Sequence, residues 1–497
     1  MKMVLDHASF AAFADSLRGD DRLERLAAGV IGEGAPVPGP FGTRALVYAD
    51  YVASGRAVRQ VESFVMEHVL PYYANTHTEA SFCGRYSGRT REAGRRIIAG
   101  LCGATEDYAT IFAGSGATAG LNRLVELLGV GEAARGAVSG LCNRPVVLIG
   151  PYEHHSNILP WRESGAEVIE IQEAAEGGPD LVVLERALLE AGSDRLKVGA
   201  FSAASNVSGI VTDPDPVSAL LRRHGAAVVW DYAGGGPYLP IDMRAGTPFQ
   251  KDAVVVSPHK FIGGPGASGV LIVRKGVVGM SRPVFPGGGT VRFVSPWGHA
   301  YSDDLVSREE AGTPNVVGDI RAALAFLVKE AIGQEVMDRR HDELRRRALA
   351  CWSRNPNIDV LGNAGADRAL PVFSLRIRDS VKGGWVHQQL FTRMLSDCYG
   401  IQVRGGCACA GPYAHRLLGI GETESAGLLD AILQGEEILK PGWVRLNLSV
   451  LLSDGKAGKI INAVDELARA PYPIASRYVC DEATARFRVA EPDVVRI

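Results

Sequence analysis

From about residue 46 to residue 275, short aliphatic and β-branched runs alternate with stretches of helical periodicity. The runs Val146–Ile149, Glu167–Ile171, Val198–Phe201, Ala227–Trp230, Ala253–Val256 and Gly269–Val273 predict strands. Ala119–Leu128, Leu181–Ala191 and Pro216–His224 carry apolar residues at helical spacing and predict helices. Strands that alternate with helices define an α/β domain built on a largely parallel sheet, because parallel neighbours need a crossover between them. Such a sheet binds ligands in the loops beyond the carboxyl ends of its strands. After residue 275 the pattern changes. A loop rich in Pro and Gly, Pro283 to Thr290, leads into polar sequence and then into the long helix candidates Gly318–Ile332 and Glu335–Arg354. Strand and helix signals then follow in shorter order to Ile497. Three parts are expected. Residues 1–45 hold one or two short helices and a Gly- and Pro-rich loop (Gly32 to Gly42), packing on the small domain or the active site. Residues 46–320 form the large domain, and 321–497 a smaller α+β domain.

Composition adds little to this picture but excludes several functions. Hydrophobic residues make up 46% and charged residues 22% of the 497 residues, ordinary for a globular chain. The formal net charge of -3 gives no electrostatic reason to expect nucleic acid or an anionic membrane as partner. The run Arg345-Arg346-Arg347 falls within a predicted helix and reads as a solvated face. No stretch approaches the roughly 20 apolar residues of a membrane span. The first twenty residues lack the apolar centre of a signal peptide, so the cytoplasm is the expected compartment. Eight cysteines are too few for a disulfide scaffold. Cys83, Cys102, Cys142, Cys351, Cys398 and Cys480 are scattered, whereas Cys407 and Cys409 sit together.

Several chemical signals fall where the sheet should place a site. Gly114-Ser115-Gly116-Ala117-Thr118 opens a predicted helix. Free N–H groups at such a turn suit a phosphate, although a plain turn with a helix cap has the same composition. Glu153-His154-His155-Ser156-Asn157 follows the strand Val146–Ile149. Adjacent histidines point apart and no partner motif is visible, so an imidazole stacked on an aromatic cofactor is favoured over a metal site. Ser205-Asn206 follows Val198–Phe201, and Asp231 follows Ala227–Trp230 directly. At that position Asp231 either meets a buried cation or caps a solvated turn. Ser257-Pro258-His259-Lys260 stands between the strand Ala253–Val256 and Gly263-Gly264-Pro265-Gly266. A lysine between an apolar strand and a glycine loop is exposed to desolvation, which lowers an amine's pKa and makes it a nucleophile for carbonyls.

The order of these motifs resembles the class V aminotransferase family, most closely its cysteine desulfurase and selenocysteine lyase group. The resemblance runs from about Val47 to Leu451, and Ser-x-His-Lys is its sharpest motif. It implies the fold type I architecture of transferases dependent on pyridoxal 5'-phosphate (PLP): a large domain with a mixed, mostly parallel seven-stranded sheet, and a smaller α+β domain. Lys260 would be the Schiff-base lysine, and Asp231 would pair with the pyridinium nitrogen so that the ring acts as an electron sink. His154 would stack on the ring, and Thr118, Ser257 and His259 would bind the phosphate. Asn206 would lie near the phenolic oxygen and the substrate. Gly287-Gly288-Gly289-Thr290 resembles a loop that reaches the partner's phosphate in a homodimer, with Thr290 as donor. Arg445, in Trp443-Val444-Arg445-Leu446-Asn447, would fork onto the substrate carboxylate.

Arg404-Gly405-Gly406-Cys407-Ala408-Cys409 sets the subclass. The family pattern Arg-x-Gly-x-x-Cys places the sulfur-attacking nucleophile at Cys409, and the Arg404 charge, on the substrate side, would favour its thiolate. The pair can also be read as structural thiols, as a redox pair, or as a metal site with His415, for which no fourth ligand is evident. The favoured reading implies desulfuration of L-cysteine to alanine, with a persulfide on Cys409 and a sulfur-acceptor protein beyond it. Catalysis would rest on Lys260, Cys409 and His154. Two positions depart from the pattern. Gly234 stands where desulfurases carry a glutamine, and Ala119 where the family often has glutamate. The chain is also longer than typical members, at its N-terminus and around Phe285–Asp304. A C–S lyase, an epimerase or another aminotransferase on the same scaffold is therefore the alternative, and a non-catalytic scaffold protein a further one.

Overall fold

A computed structural model of the protein describes residues 8–137 and 144–490, so Cys142 and the outermost residues of both termini lie outside the described chain. The described chain divides into two compact units. One comprises residues up to Ile31 together with Ala53–Ser205 and Val211–Val336. The other comprises Gly32–Val52, Asn206–Ile210 and the residues from Met337 onward.

The first unit is built on seven strands: β1 (Tyr108–Phe112), β2 (Val146–Ile149), β3 (Glu167–Glu170), β4 (Lys197–Ser202), β5 (Ala227–Asp231), β6 (Ala253–Val256) and β7 (Val270–Arg274). Their order across the sheet is β1-β7-β6-β5-β4-β2-β3. Only β7 runs against its neighbours, and the other pairs are parallel. The sequence pattern therefore reports the sheet to within a residue at each strand end. It does not predict β1, where Thr110 interrupts a short run whose five residues are all buried. Helices α1 (Phe82–Leu101), α2 (Ala117–Leu127), α3 (Leu181–Glu190), α4 (Pro214–Arg223) and α5 (Val316–Ile332) belong to this unit. Two shorter helices, Ala8–Ser16 and Arg22–Ala28, precede them. One apolar cluster joins Ile111, Val147, Val229, Val255 and Leu271 of the sheet to Leu121, Leu124 and Trp161. Near-continuous hydrophobic strands are what a parallel sheet covered on both faces requires.

Helix α1 is not predicted by the apolar pattern, because its twenty residues include four glycines and five arginines. Ser81 caps it by accepting from the Gly84 N–H. Its arginines are placed by ion pairs. Arg91 Nε donates to Asp319 Oδ2 of α5 at 2.6 Å, and Arg95 Nη1 donates to Glu310 Oε1 at 2.6 Å.

The second unit carries a four-stranded antiparallel sheet of β8 (Ile358–Leu361), β9 (Val372–Ile377), β10 (Arg404–Gly406) and β11 (Trp443–Asn447), in the order β8-β9-β11-β10. Around it lie α6 (Gln334–Trp352), α7 (Gln388–Tyr399), α8 (Gly411–Leu418), α9 (Glu422–Leu433) and α10 (Asp454–Arg469). Its core packs Leu344, Trp352, Phe373, Phe391, Leu446 and Ile460. The segment Val47–Tyr48 belongs here, paired in parallel with Ile401–Gln402. Gly400, which ends α7 with φ 73°, is needed at that turn, because a Cβ would lie 2.3 Å from the Ala45 carbonyl oxygen. No helix among the described residues is long and apolar enough to cross a membrane.

Candidate active site

The carboxyl ends of the sheet in the first unit bring most of the expected cofactor residues together. Asp231 is the last residue of β5. Lys260 ends the turn Pro258–Lys260 that follows β6, and β5 and β6 are parallel neighbours with Asp231 opposite Val255. Asp231 is 3% exposed, and its carboxyl accepts the Ala233 N–H at 2.7 Å. Burial pushes its pKa up, while that hydrogen bond and the positive charge of Lys260 pull it down. A buried carboxylate holding one hydrogen bond retains acceptor capacity for a cationic N–H.

The glycine turn after β1 meets the end of β6. Gly116 is the N-cap of α2. A Cβ there would lie 3.0 Å from His259 Cε1 and 3.1 Å from Ser257 Oγ, so the turn is built for close approach. Ser257 Oγ accepts the Ala117 N–H at 2.9 Å. His259 Nδ1 is buried without a partner. Burial, followed by the Lys260 charge, lowers the His259 pKa. Thr118 Oγ1 lies 2.7 Å from Ser156 Oγ, and Ser156 Oγ lies 3.0 Å from His154 Nδ1. His154, the turn and the Lys260 segment thus form one cluster. Its orphaned imidazole nitrogen, glycine cradle and helix N-terminus match a phosphorylated ring, so the residues present fit PLP. Thr290 is fully buried, and its hydroxyl donates to the Gly287 carbonyl at 2.7 Å.

Two members of this cluster were not singled out by sequence reasoning. Ser156 links Thr118 to His154. Glu153 is 3% exposed and accepts from Ser202 N at 2.8 Å and from Ser202 Oγ at 2.6 Å. Ser202 and Asp231 are register partners on β4 and β5. Burial raises the Glu153 pKa to about 7, against the hydrogen bonds from Ser202 and Asn157 and with a smaller push from Asp231. The only sequence signal was adjacency to His154, which does not tell a buried acid from an exposed one.

The remaining expected residues lie in the second unit. Arg445 on β11 is directly opposite Arg404 on β10. Arg445 is 3% exposed, and its Nη2 donates to Asp50 Oδ1 at 2.9 Å. Its Nη1 reaches the Asn206 backbone carbonyl at 3.4 Å, while its Nε is buried with no partner. An unsatisfied buried guanidinium N–H is the feature a carboxylate ligand would complete. Asp50 was not anticipated, since nothing in its local sequence marks an ion-pair partner 395 positions away. Asn206 donates its Nδ2 to the Ala408 carbonyl at 2.8 Å, and its Oδ1 is buried without a partner.

Cys407 and Cys409 are free, partly buried thiols between β10 and α8. Ala408 and Cys409 both have positive φ, 55° and 56°. Left-handed backbone costs a residue other than glycine roughly 1–2 kcal/mol, and two in succession are held only where the surroundings over-determine them. His415, weighed above as a metal ligand, places Nδ1 2.8 Å from the Gly411 carbonyl oxygen and Nε2 2.8 Å from Ser425 Oγ. No group of three or more potential metal ligands occurs among the described residues.

The doubly wound sheet with its site at the strand ends, joined to an antiparallel α+β unit, defines the type I fold of PLP-dependent transferases. The family model for class V aminotransferases matches residues 47–428, more than half of the chain. The protein belongs to the class V aminotransferase family and is an enzyme of that PLP-dependent family. It is 30% identical over 374 residues to a probable cysteine desulfurase of Vibrio cholerae, spanning 74% of this chain and 85% of the relative. A probable cysteine desulfurase of Streptomyces coelicolor is 27% identical over 407 residues, 79% of this chain and 91% of the relative. Among solved structures, an apo cysteine desulfurase from Thermococcus onnurineus superposes with a TM-score of 0.69 at 23% identity, covering 85% and 95% of the two chains. A cysteine desulfurase from Escherichia coli gives 0.68 at 20% identity, covering 89% and 98%.

Proposed function

We propose that the protein is a cysteine desulfurase that binds PLP through Lys260 and passes the sulfur of L-cysteine to Cys409. The observation that carries this reading is the meeting of Lys260 and the buried Asp231 at neighbouring sheet ends, beside a glycine turn with an orphaned His259 nitrogen. When bound, PLP supplies an electron sink conjugated to the substrate Cα. Asp231 holds a negative charge for the ring N–H. Thr118, Ser257 and His259 hold the phosphate, and His154 covers the ring. Arg445 binds the substrate carboxylate, with Asn206 beside it and Arg404 on the substrate side. The Lys260 amine moves the Cα proton. The Cys409 thiolate attacks the substrate sulfur. An S–S bond forms as the Cβ–S bond breaks, the bonding pair stays with Cβ, and protonation there gives alanine. A protein or small-molecule thiol would then take the sulfur from Cys409.

The reading also includes a homodimer, with Thr290 serving the partner's site, and location in the cytoplasm. A second reading draws on Gly234, which offers the cofactor no side-chain donor where desulfurases use glutamine. It is another PLP reaction on this scaffold, such as a C–S lyase. One experiment separates the two. Purified enzyme should show a visible absorption band that changes on adding L-cysteine and is lost in Lys260→Ala. After a single turnover, the peptide containing Cys409 should carry one added sulfur atom. Sulfide release with full activity in Cys409→Ser would establish the lyase instead.

A further inference from the structure

The turn that carries Cys409 is unfavourable by itself and is tied down from outside by the Asn206 side chain. Ala408 and Cys409 sit consecutively in left-handed backbone, at φ 55° and 56°. Neither is glycine, so the chain alone would relax toward other conformations. Ala410 N donates to the Cys407 carbonyl at 3.2 Å, which closes the turn locally. From outside the turn, Asn206 Nδ2 donates to the Ala408 carbonyl at 2.8 Å. Asn206 is 8% exposed, and its own backbone carbonyl is within reach of Arg445 Nη1 at 3.4 Å. Its neighbours are fixed as well. The Val207 carbonyl accepts Ser374 Oγ at 2.8 Å, and Ser208 Oγ pairs with Tyr413 Oη at 3.2 Å. Asn206 is therefore a short side chain on an anchored backbone, aimed at a strained turn.

We propose that Asn206 is a positioning residue for Cys409: its amide latches the Ala408 carbonyl, and breaking that bond releases the turn and exposes the thiol. The proposal rests on reading Cys409 as the sulfur-accepting nucleophile, because such a thiol must reach substrate and then hand its sulfur onward. A turn strained when closed, and latched from outside by a bond that can release, can do both. The same arrangement assigns the two ends of the amide to different tasks. Nδ2 donates to the Ala408 carbonyl in the closed turn, so the substrate carboxylate, an acceptor, can take it only when the latch opens, while Oδ1 is buried and unpaired.

The test is alkylation of the full-length enzyme with iodoacetamide, followed by peptide mass spectrometry at each cysteine. Asn206→Ala and the isosteric Asn206→Asp both remove the donor. Each should speed alkylation of Cys409 roughly five-fold, the factor that one net hydrogen bond is worth. Cys351 and Cys398 should keep their wild-type rates. Ala408→Gly lowers the conformational cost of the closed turn and should slow Cys409 alkylation, partly reversing Asn206→Ala in the double variant. Unchanged Cys409 rates in both Asn206 variants would overturn the latch, as would a rise in every thiol together. If Cys409→Ser retained sulfur transfer while the alkylation pattern held, the functional reading would fail and the latch would stand.

Discussion

Glu153 shows how a single buried acid ties the stability of the site to pH. Its carboxyl accepts from Ser202 and Asn157, and burial raises its pKa to about 7 from 4.5. A group whose folded pKa lies above its unfolded value contributes stability that is complete below pH 4.5 and lost as the pH rises through about 7. At 1.36 kcal/mol per pKa unit, the loss is on the order of 3 kcal/mol. Glu153→Gln cannot ionise and should lack this dependence. It should be less stable than wild type at pH 5, since the amide matches the donors of Ser202 and Asn157 poorly, and should gain on wild type by pH 8. Thermal denaturation of both proteins from pH 5 to 8 decides the matter, and parallel curves would remove Glu153 from the account. At this scale the sequence was informative only where a residue type has few other uses. A lysine between an apolar strand and a glycine loop, and an aspartate ending another such strand, were legible. Glu153, Ser156 and Asp50 were not, because their roles come from partners brought by other segments.

Helices α1 and α5 are joined by charge as well as by apolar packing. Arg91 reaches both Asp319 and Glu310, and Arg95 holds Glu310. Both guanidiniums also lie over the Phe112 ring, at 5.2 and 4.8 Å. The side chains of Arg91, Asp319 and Glu310 are at most 9% exposed, so solvent screens them little. Without Asp319, Arg91 keeps Glu310 but its buried Nε loses its acceptor, so the cost should fall below the roughly 3–5 kcal/mol of a fully stranded buried charge, whereas replacing the pair with apolar residues can be neutral. Asp319→Leu should therefore lower the urea midpoint markedly, and Arg91→Met with Asp319→Leu should recover part of the loss. A double variant no better than the sum of the single ones would mean that the charges act independently. This network explains why α1 escapes the apolar pattern. Its inward arginines are stabilised by carboxylates more than 200 positions away, which helical periodicity cannot register. Strands β2 and β4 to β7 are legible for the opposite reason, since a sheet covered on both faces requires near-continuous apolar runs, while the edge strand β3 has glutamate at both ends and is only partly buried.

At the scale of the whole molecule, the hairpin Val291–Ser295 and Gly298–Tyr301, which follows the Gly287–Thr290 turn, presents apolar side chains to solvent. Phe293, Val294 and Trp297 are 63%, 62% and 92% exposed. Soluble proteins seldom leave such neighbouring apolar side chains in water, and patches of this kind mark contact surfaces. The homodimer proposed above gives them an occupant, a second copy of the chain. Thr290, the residue just before the hairpin, is fully buried in its own chain with its hydroxyl on the Gly287 carbonyl, so it reaches a partner's phosphate only if the Gly287–Thr290 turn opens. Replacing Phe293 and Trp297 together with serine adds no charge and disturbs no buried residue, so each chain should keep its fold and thermal transition. Sedimentation should then show a monomer, or a dimer whose dissociation constant has risen at least ten-fold, about 1.4 kcal/mol of lost association energy. The visible cofactor band separates two consequences. If the partner's Thr290 contributes to phosphate binding, the monomer should lose PLP on dilution more readily than the dimer. If the hairpin variant sediments as wild type, the patch faces something other than a second copy, and the proposed homodimer does not use this hairpin.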